Sequence, residues 1–231
     1  MNIAVIVAGG SGTRMGNGDR PKQFLPLAGR PILIHTAERF LRHAKIDGVV
    51  IGIPPAWLQY TQELLARYFP GEEIGAVPGG ATRHETLTRL VEEAKKRFAL
   101  GETDVLVTHD AVRPFLTERM ISENIEAARR YGAAGTYIPA TDTIVCSQNG
   151  EELSGMPDRA GMYQAQTPQS FRLGDYENVV SELSEDELLQ VTDACKLFFL
   201  RNRPVRMVEG EITNLKITHP LDYRIAQMLA E

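Results

Sequence analysis

A short β-branched apolar run, Ile3-Ala4-Val5-Ile6-Val7, opens directly into the glycine-rich stretch AGGSGTRMG and then into the basic segment RPKQFLPL. A strand that empties into such a turn gathers several backbone N–H groups at one place, and Arg14 and Lys22 set two positive charges beside them. The combination reads as a cradle for a polyphosphate. Neither of the two best-known phosphate loops accounts for it. The dinucleotide fingerprint GxGxxG fails because Met15 takes the third glycine position and Gly16 comes one residue late. The ATPase loop GxxxxGK[ST] fails because Lys22 follows Pro21, which also places Lys22 on extended chain and not in a first helical turn.

Strand-like and helix-like periods alternate through the first 140 or so residues, the signature of βαβ units and a largely parallel sheet. Strands are predicted near Ile3 to Val7, Gly48 to Ile53, Ile74 to Val77, Val105 to Thr108 and Gly135 to Ile138. Between them PILIHTAERFLRHA, PAWLQYTQELLARYF, TRHETLTRLVEEAKKRFA and TERMISENIEAARRYG read as amphipathic helices on both faces of the sheet. Thr82 with Glu85 makes a capping box. From Thr141 to Gln169 the pattern changes: DTIVCSQNGEEL reads as a strand entering a polar turn and MYQAQTPQSF as a returning one, together a protruding arm. Exposed strand edges are a liability unless covered, and a second copy of the chain would cover them. The remainder reads as LGDYENVVSELS helix, EDELLQVTDACKLFFLRN helix, PVRMVEG strand and a closing helix from Pro220.

With 231 residues and 43% apolar content the chain suits one substantial core, so a single domain is expected over 1–231 with the arm inserted at about 141–169. Its 25 basic and 30 acidic residues are mixed along the chain, which argues against nucleic-acid and membrane partners. Cys146 and Cys195 stand far apart without metal-ligand spacing, Met1 runs straight into a strand, and no apolar stretch is long enough to span a bilayer. A cytoplasmic location is expected.

Two further groups of residues fall where strands should end, the edge at which open parallel sheets bind ligands. In VLVTHDAVRPF the apolar run stops at His109, Asp110 and Arg113; Asp110 could hold Mg²⁺ against phosphate oxygens or cap the next helix. Arg113 could pair with Asp110 or grip a phosphate, and His109 reads as a packed residue, not a base. In EGEITNLKITHPLDY, Lys216 lies in a strand-like piece between Asn214 and Thr218, where a phosphate would suit it as partner, the alternative being an edge-strand lysine that blunts aggregation. Gly79, Gly80, Arg83 and Thr86 in PGGATRHET form another glycine turn opening a helix.

The pieces AGGSGTRMG, PKQFLPL, PGGATRHET, THDAVRPF, TDTI, DRAGMYQAQTPQSF, VTDACK and NLKIT run from end to end. On these motifs the chain resembles the sugar-phosphate cytidylyltransferases, relatives of the enzyme that makes 4-diphosphocytidyl-methylerythritol. Within that group THDAVRPFLT, MYQAQTPQSF and DACK resemble the ribitol-5-phosphate enzymes more, since the methylerythritol enzymes usually show HDAARP and TDEAS. Ala81 and Val112 also depart from an acidic residue and an alanine common in the methylerythritol branch. The resemblance implies a Rossmann-like three-layer α/β nucleotidyltransferase fold with a mostly parallel sheet and a protruding β-arm. It assigns Arg14 and Lys22 to the CTP phosphates, Ala8, Gly9, Gly10, Gly12, Gly80 and Thr86 to the nucleotide, Asp110 to Mg²⁺ and nucleotide, and Lys216 to the reacting phosphates. Arg113, Thr143, Arg159, Thr167 and Thr192 would surround the polyol phosphate, with Thr143, Arg159 and Thr167 reaching the neighbouring subunit's site in a homodimer.

The reaction so implied joins CTP and D-ribitol 5-phosphate into CDP-ribitol and pyrophosphate, for wall teichoic acid or capsule polymers. The nearest alternative is the same chemistry on 2-C-methyl-D-erythritol 4-phosphate for isoprenoid synthesis. From other classes, a non-catalytic nucleotide-sensing module would not require Lys22, Asp110 and Lys216 together, and a nicotinamide oxidoreductase is disfavoured by the failed fingerprint.

Overall fold

The computed structural model describes residues 1–9 and 20–230. In chain order the elements are β1 (Asn2–Val7), β2 (Pro26–Leu27), β3 (Arg30–Pro31), α1 (Ile32–Leu41), β4 (Gly48–Ile53), α2 (Leu58–Tyr68), β5 (Ile74–Pro78), α3 (Arg83–Phe98), β6 (Val105–Asp110), α4 (Glu118–Tyr131) and β7 (Ala133–Pro139). They continue with β8 (Tyr163–Arg172), α5 (Leu173–Glu182), α6 (Glu185–Leu189), α7 (Ala194–Leu200), β9 (Arg206–Glu209) and α8 (Pro220–Leu229). The main sheet runs β5-β4-β1-β6-β8-β7-β9, with β2 and β3 forming a small separate hairpin. Among the described strands of the main sheet, β8 alone is antiparallel to its neighbours.

Alternation of side chains along the strands splits the core in two. Ala4 and Ile6 join Val49, Ile51 and Val107 on one face, where α1, α2 and α4 bring Phe40, Leu64 and Ile125. Ile3 and Val5 join Val50 and Leu106 on the other, under Leu90 of α3, Tyr176 of α5 and Phe198 of α7. The result is the Rossmann-like three-layer α/β fold expected from the sequence. Close layering needs a small residue at Gly52, where a Cβ would lie 2.8 Å from Thr86 Cγ2 and 3.2 Å from Leu90. Thr82 caps α3 by accepting the Glu85 N–H at 3.0 Å, while the Glu85 carboxylate takes Ala81 N at 2.7 Å.

The chain leaves β1 for β4 and β5 on one side, then crosses to β6 on the other. Strand order therefore reverses beside β1, and the crevice outside the carboxyl ends of β1 and β6 is where such sheets bind ligands.

Five local expectations differ from the structure. The segment expected to protrude up to Gln169 divides: Tyr163–Arg172 is strand β8, inserted between β6 and β7 and buried from Gln166 to Phe171. Only the stretch before it is largely exposed, and there DTIVCSQNGEEL forms a single Cys146–Gly155 bridge, not a strand. The helix expected over EDELLQVTDACKLFFLRN is two helices, because Asp193 turns its side chain onto Lys196 N and starts α7 afresh. Lys216 lies on irregular chain, and Lys22 opens a one-turn 3-10 helix, Lys22–Phe24. Proline limits the residue before it more than the one after, so Pro21 tolerates that turn. Among the described residues no helix is long and apolar enough to cross a membrane.

Candidate active site

Asp110 closes β6 at the carboxyl edge of the sheet and is buried. Its Oδ1 meets Arg83 Nη1 at 2.9 Å and its Oδ2 meets Lys216 Nζ at 2.9 Å, with Arg113 Nε 3.6 Å away. Burial alone would raise the carboxyl's pKa. Arg83, then Lys216 and Arg113, outweigh it and hold the group well below the usual carboxylate range. Three cations around one carboxylate leave a surplus of positive charge at the edge where ligands bind.

These side chains arrive from distant parts of the sequence. Arg83 is the first residue of α3, Arg113 sits in the turn after β6, and Lys216 comes from the irregular chain before α8. The backbone of Ile217 ties them together, since its N–H donates to Val112 O at 3.0 Å and its carbonyl accepts Lys22 Nζ at 2.9 Å. Lys22 and Lys216 are thereby brought to one wall. Gln23 donates to Ala8 O at 2.8 Å and fixes the 3-10 turn against the end of β1.

A cavity of about 280 Å³ lies among these groups. Ala8, Gly9, Lys22, Gly80, Thr86, Asp110 and Lys216, all singled out in the sequence, line it. Thr86 is buried and braces the glycine turn, accepting Gly80 N at 3.0 Å and donating to Thr82 O at 2.9 Å. A Cβ on Gly80 would fall 2.4 Å from the Glu85 side chain, so the turn can lie this close to α3 only as glycine.

Other expected site residues are placed elsewhere. Arg113 is buried, lies 3.6 Å from Asp110 Oδ2 in the structural pairing weighed for it, and also gives Nη1 to Asn214 O at 2.7 Å. Thr167 is buried too, and its hydroxyl is spent internally: it accepts Asp110 N–H at 3.2 Å and faces His109 Nδ1 at 2.9 Å. Thr143 and Arg159 are exposed, Arg159 donating to Thr141 O at 3.1 Å, and Thr192 is exposed beside Asp193; none of the three lines this chain's cavity. Gly10, Gly12 and Arg14 lie outside the described residues. Arg83, read from the sequence only as part of the glycine turn, is a direct partner of Asp110, a contact that the letters of PGGATRHET do not signal.

Among the described residues no group of three metal-ligating side chains gathers. A divalent cation that takes one carboxylate and completes its shell with substrate phosphates and water asks for less. Asp110, ionised and with a second lone pair on each oxygen, fits that smaller requirement.

The model of the family described as IspD: 2-C-methyl-D-erythritol 4-phosphate cytidylyltransferase matches residues 2–231. Among solved structures the chain is similar to 4-diphosphocytidyl-2C-methyl-D-erythritol synthase of Anaerococcus prevotii, at 28% identity and a TM-score of 0.81 over 99% of this chain and 95% of that one. It is similar to the 2-C-methyl-D-erythritol 4-phosphate cytidylyltransferase of Thermus thermophilus at 30% identity and a TM-score of 0.76, covering 100% of this chain and 99% of that one. A further 4-diphosphocytidyl-2C-methyl-D-erythritol synthase matches at 27% identity and a TM-score of 0.82, with 100% and 99% covered.

His109 supplies a pH test of this site. Its Nε2 donates to Arg113 O at 3.0 Å, so Nδ1 is the bare nitrogen that receives the Thr167 hydroxyl. Burial pushes its pKa down to about 4, against the opposing hydrogen bond to Arg113. The folded state keeps His109 neutral while the unfolded chain protonates near the ordinary value of 6.5. Its contribution to stability is therefore full above that value and lost as pH falls toward about 4. Between about pH 7.5 and about pH 5 the wild type should lose roughly 2 kcal/mol more than His109→Gln. Urea unfolding at both pH values measures the difference, and equal losses would show that His109 is not held neutral.

Proposed function

The chain belongs to the 2-C-methyl-D-erythritol 4-phosphate cytidylyltransferase family, and from that premise we propose that it transfers the cytidylyl group of CTP to a polyol phosphate. A phosphate oxygen of the acceptor attacks the α-phosphorus of CTP, the bond from that phosphorus to the β-phosphate oxygen breaks, and pyrophosphate leaves. The observation that carries this reading is the surplus of positive charge held around Asp110 at the carboxyl edge of the sheet.

Two polyanions must meet in this reaction, so charge neutralisation and alignment are the main demands. Lys22, Lys216 and Arg83 all line the cavity, a set of cations that suits a triphosphate and a second phosphate approaching it. Asp110 keeps Arg83 and Lys216 in place before the substrates arrive. A divalent cation, when bound at Asp110, would supply further neutralisation of phosphate oxygens. The small residues Ala8, Gly9, Gly80, Ala81 and Ala111 leave room for a flat base and ribose against backbone.

What supports 2-C-methyl-D-erythritol 4-phosphate as acceptor, and with it a role in isoprenoid precursor synthesis, is the family's description and the names of the relatives. This ranks above the D-ribitol 5-phosphate expected from THDAVRPFLT, MYQAQTPQSF and DACK, and none of the three structures described carries a ribitol name. Ribitol phosphate keeps one specific support. Ala81 and Val112, the two departures from the methylerythritol pattern, both line the cavity. The exposed stretch carrying Thr143 and Arg159 completes the proposal as the part that a second copy would receive.

Pyrophosphate release with CTP and each acceptor, followed by competition kinetics, decides the substrate. The expected result is a higher kcat/KM for 2-C-methyl-D-erythritol 4-phosphate; a preference for D-ribitol 5-phosphate moves the chain to the second reading, and no turnover with either leaves a nucleotide-binding module. Lys22→Ala and Lys216→Ala should each lower kcat by on the order of 10²-fold while the protein remains folded. Retained turnover in either variant would remove that lysine from the mechanism.

Subunit exchange is tested by mixing inactive Lys22→Ala with inactive Arg159→Ala protein. Certain mixed dimers would then hold one intact composite site, and activity should return. If exchange is demonstrated and activity stays absent, Arg159 serves its own chain or none.

A further inference from the structure

The chain that carries Lys216 has no regular secondary structure, yet Lys216 Nζ meets Asp110 Oδ2 at 2.9 Å. A long flexible side chain on irregular backbone needs something rigid behind it to act at a fixed point. On its far side the backbone is tied by Ile217 N to Val112 O, and by Thr218 N and His219 N to the Asp222 carboxylate. On its near side the tie is a pair of buried amides.

Asn214 is wholly buried. Its Nδ2 donates twice, to Gln166 Oε1 at 3.0 Å and to Thr167 O at 2.8 Å, and its main-chain carbonyl accepts Arg113 Nη1 at 2.7 Å. Two acceptors in front of one nitrogen fix the orientation of the amide, because the reversed amide would set oxygen against oxygen. Gln166 in turn clasps the start of the same turn, donating to Glu211 O at 2.9 Å and accepting Glu211 N at 3.4 Å. Gly210 permits that approach, since a Cβ there would lie 2.6 Å from Gln166 Oε1.

Both halves of the Asp110–Lys216 pair therefore hang on one residue of β8. The Thr167 carbonyl holds the turn two residues before Lys216, and the Thr167 hydroxyl holds the backbone N–H of Asp110. We propose that Asn214 is a positioning residue, which with Gln166 locks the Lys216 segment onto β8 and so sets Lys216 at the reacting phosphates. The inference rests on the reading of Lys216 given above.

Asn214→Asp is nearly isosteric and replaces the twofold donor with an acceptor facing two oxygens. Only its protonated form could restore one of the two bonds, so the variant carries a pH signature that a purely structural amide would not. Expected are a kcat lowered roughly tenfold or more, a KM for CTP within about threefold of wild type, and a variant-to-wild-type rate ratio that rises as pH falls from about 8 to about 6. A wild-type kcat, or a lowered kcat with a flat ratio, overturns the proposal. If Asn214→Asp does not fold, Gln166→Met removes one acceptor while leaving Asn214 in place. It should lower kcat in the same direction, and an unchanged kcat in that variant overturns the proposal equally. Lys216→Ala measured alongside separates the two levels: retained turnover there sinks the functional reading itself, whereas lost turnover with unaffected Asn214 and Gln166 variants sinks only the positioning role.

Discussion

One buried carboxylate makes the rest of the site possible. Arg83, Arg113 and Lys216 come from a helix start, a turn and an irregular segment, and without Asp110 among them their mutual repulsion would drive them apart. Buried ion pairs are weak sources of net stability, because the desolvation of each charge offsets much of the attraction. The arrangement is better understood as preorganisation. Cations are assembled and oriented before an anionic substrate arrives, so little reorganisation is left for the moment of reaction.

The second constraint is the direction of β8. A strand running antiparallel between β6 and β7 brings Gln166 and Thr167 past the carboxyl end of β6, where a parallel strand would have presented its own end. Side-chain amides and hydroxyls on this strand can then meet both the Asp110 backbone and the turn leading to Lys216. Beyond the buried part of β8, Tyr163, Gln164 and Ala165 are exposed and pair with the end of β7, leading out to the stretch that carries Arg159.

Much of this was legible in the letters. The five main-sheet strands β1, β4, β5, β6 and β7 and the helices α1 to α4 have clean periods and appear where those periods put them, while the short β2–β3 hairpin was not foreseen. Asp110 and Lys22 were legible as a charge after an apolar run and a charge beside a glycine turn, and Lys216 as a lysine in an apolar stretch, although a helix cap and an edge-strand lysine were open alternatives for Asp110 and Lys216. The Arg83 contact was not, since nothing in PGGATRHET says that α3 begins over the end of β6. Neither was the place of β8: the letters of YQAQTPQSFR alternate as a half-exposed ribbon would, and only pairing on both sides shows that the strand is internal. The break before α7 was hidden because a run of apolar residues at helical spacing crosses Asp193, and the capping bond that interrupts it is a three-dimensional fact.

Electrostatics of this kind is blind to the acceptor. Every candidate substrate brings a phosphate, and Lys22, Lys216 and Arg83 would meet any of them alike. Telling a branch methyl from an extra hydroxyl requires a group that is left unpaired by the wrong partner, which can discriminate by roughly 10⁴-fold where a methyl pocket gives about 10 to 200-fold. Ala81, Ala111 and Val112 on the cavity wall have no side-chain hydrogen-bonding atom to offer, and the hydroxyl of Thr86 is engaged by the glycine turn. Thr167 and Arg113 are likewise committed to neighbours within the chain. Among the described residues the polar lining that remains is the charged set Lys22, Arg83, Asp110 and Lys216, together with Gln23 and Thr82, which are tied to Ala8 O and to the Glu85 N–H; the exposed Thr143 and Arg159 carry further donors and acceptors outside the cavity. Charge thus suits this cavity to phosphates, and on the reading proposed above the choice between polyols would fall to a further group, such as Thr143 or Arg159 of a second copy.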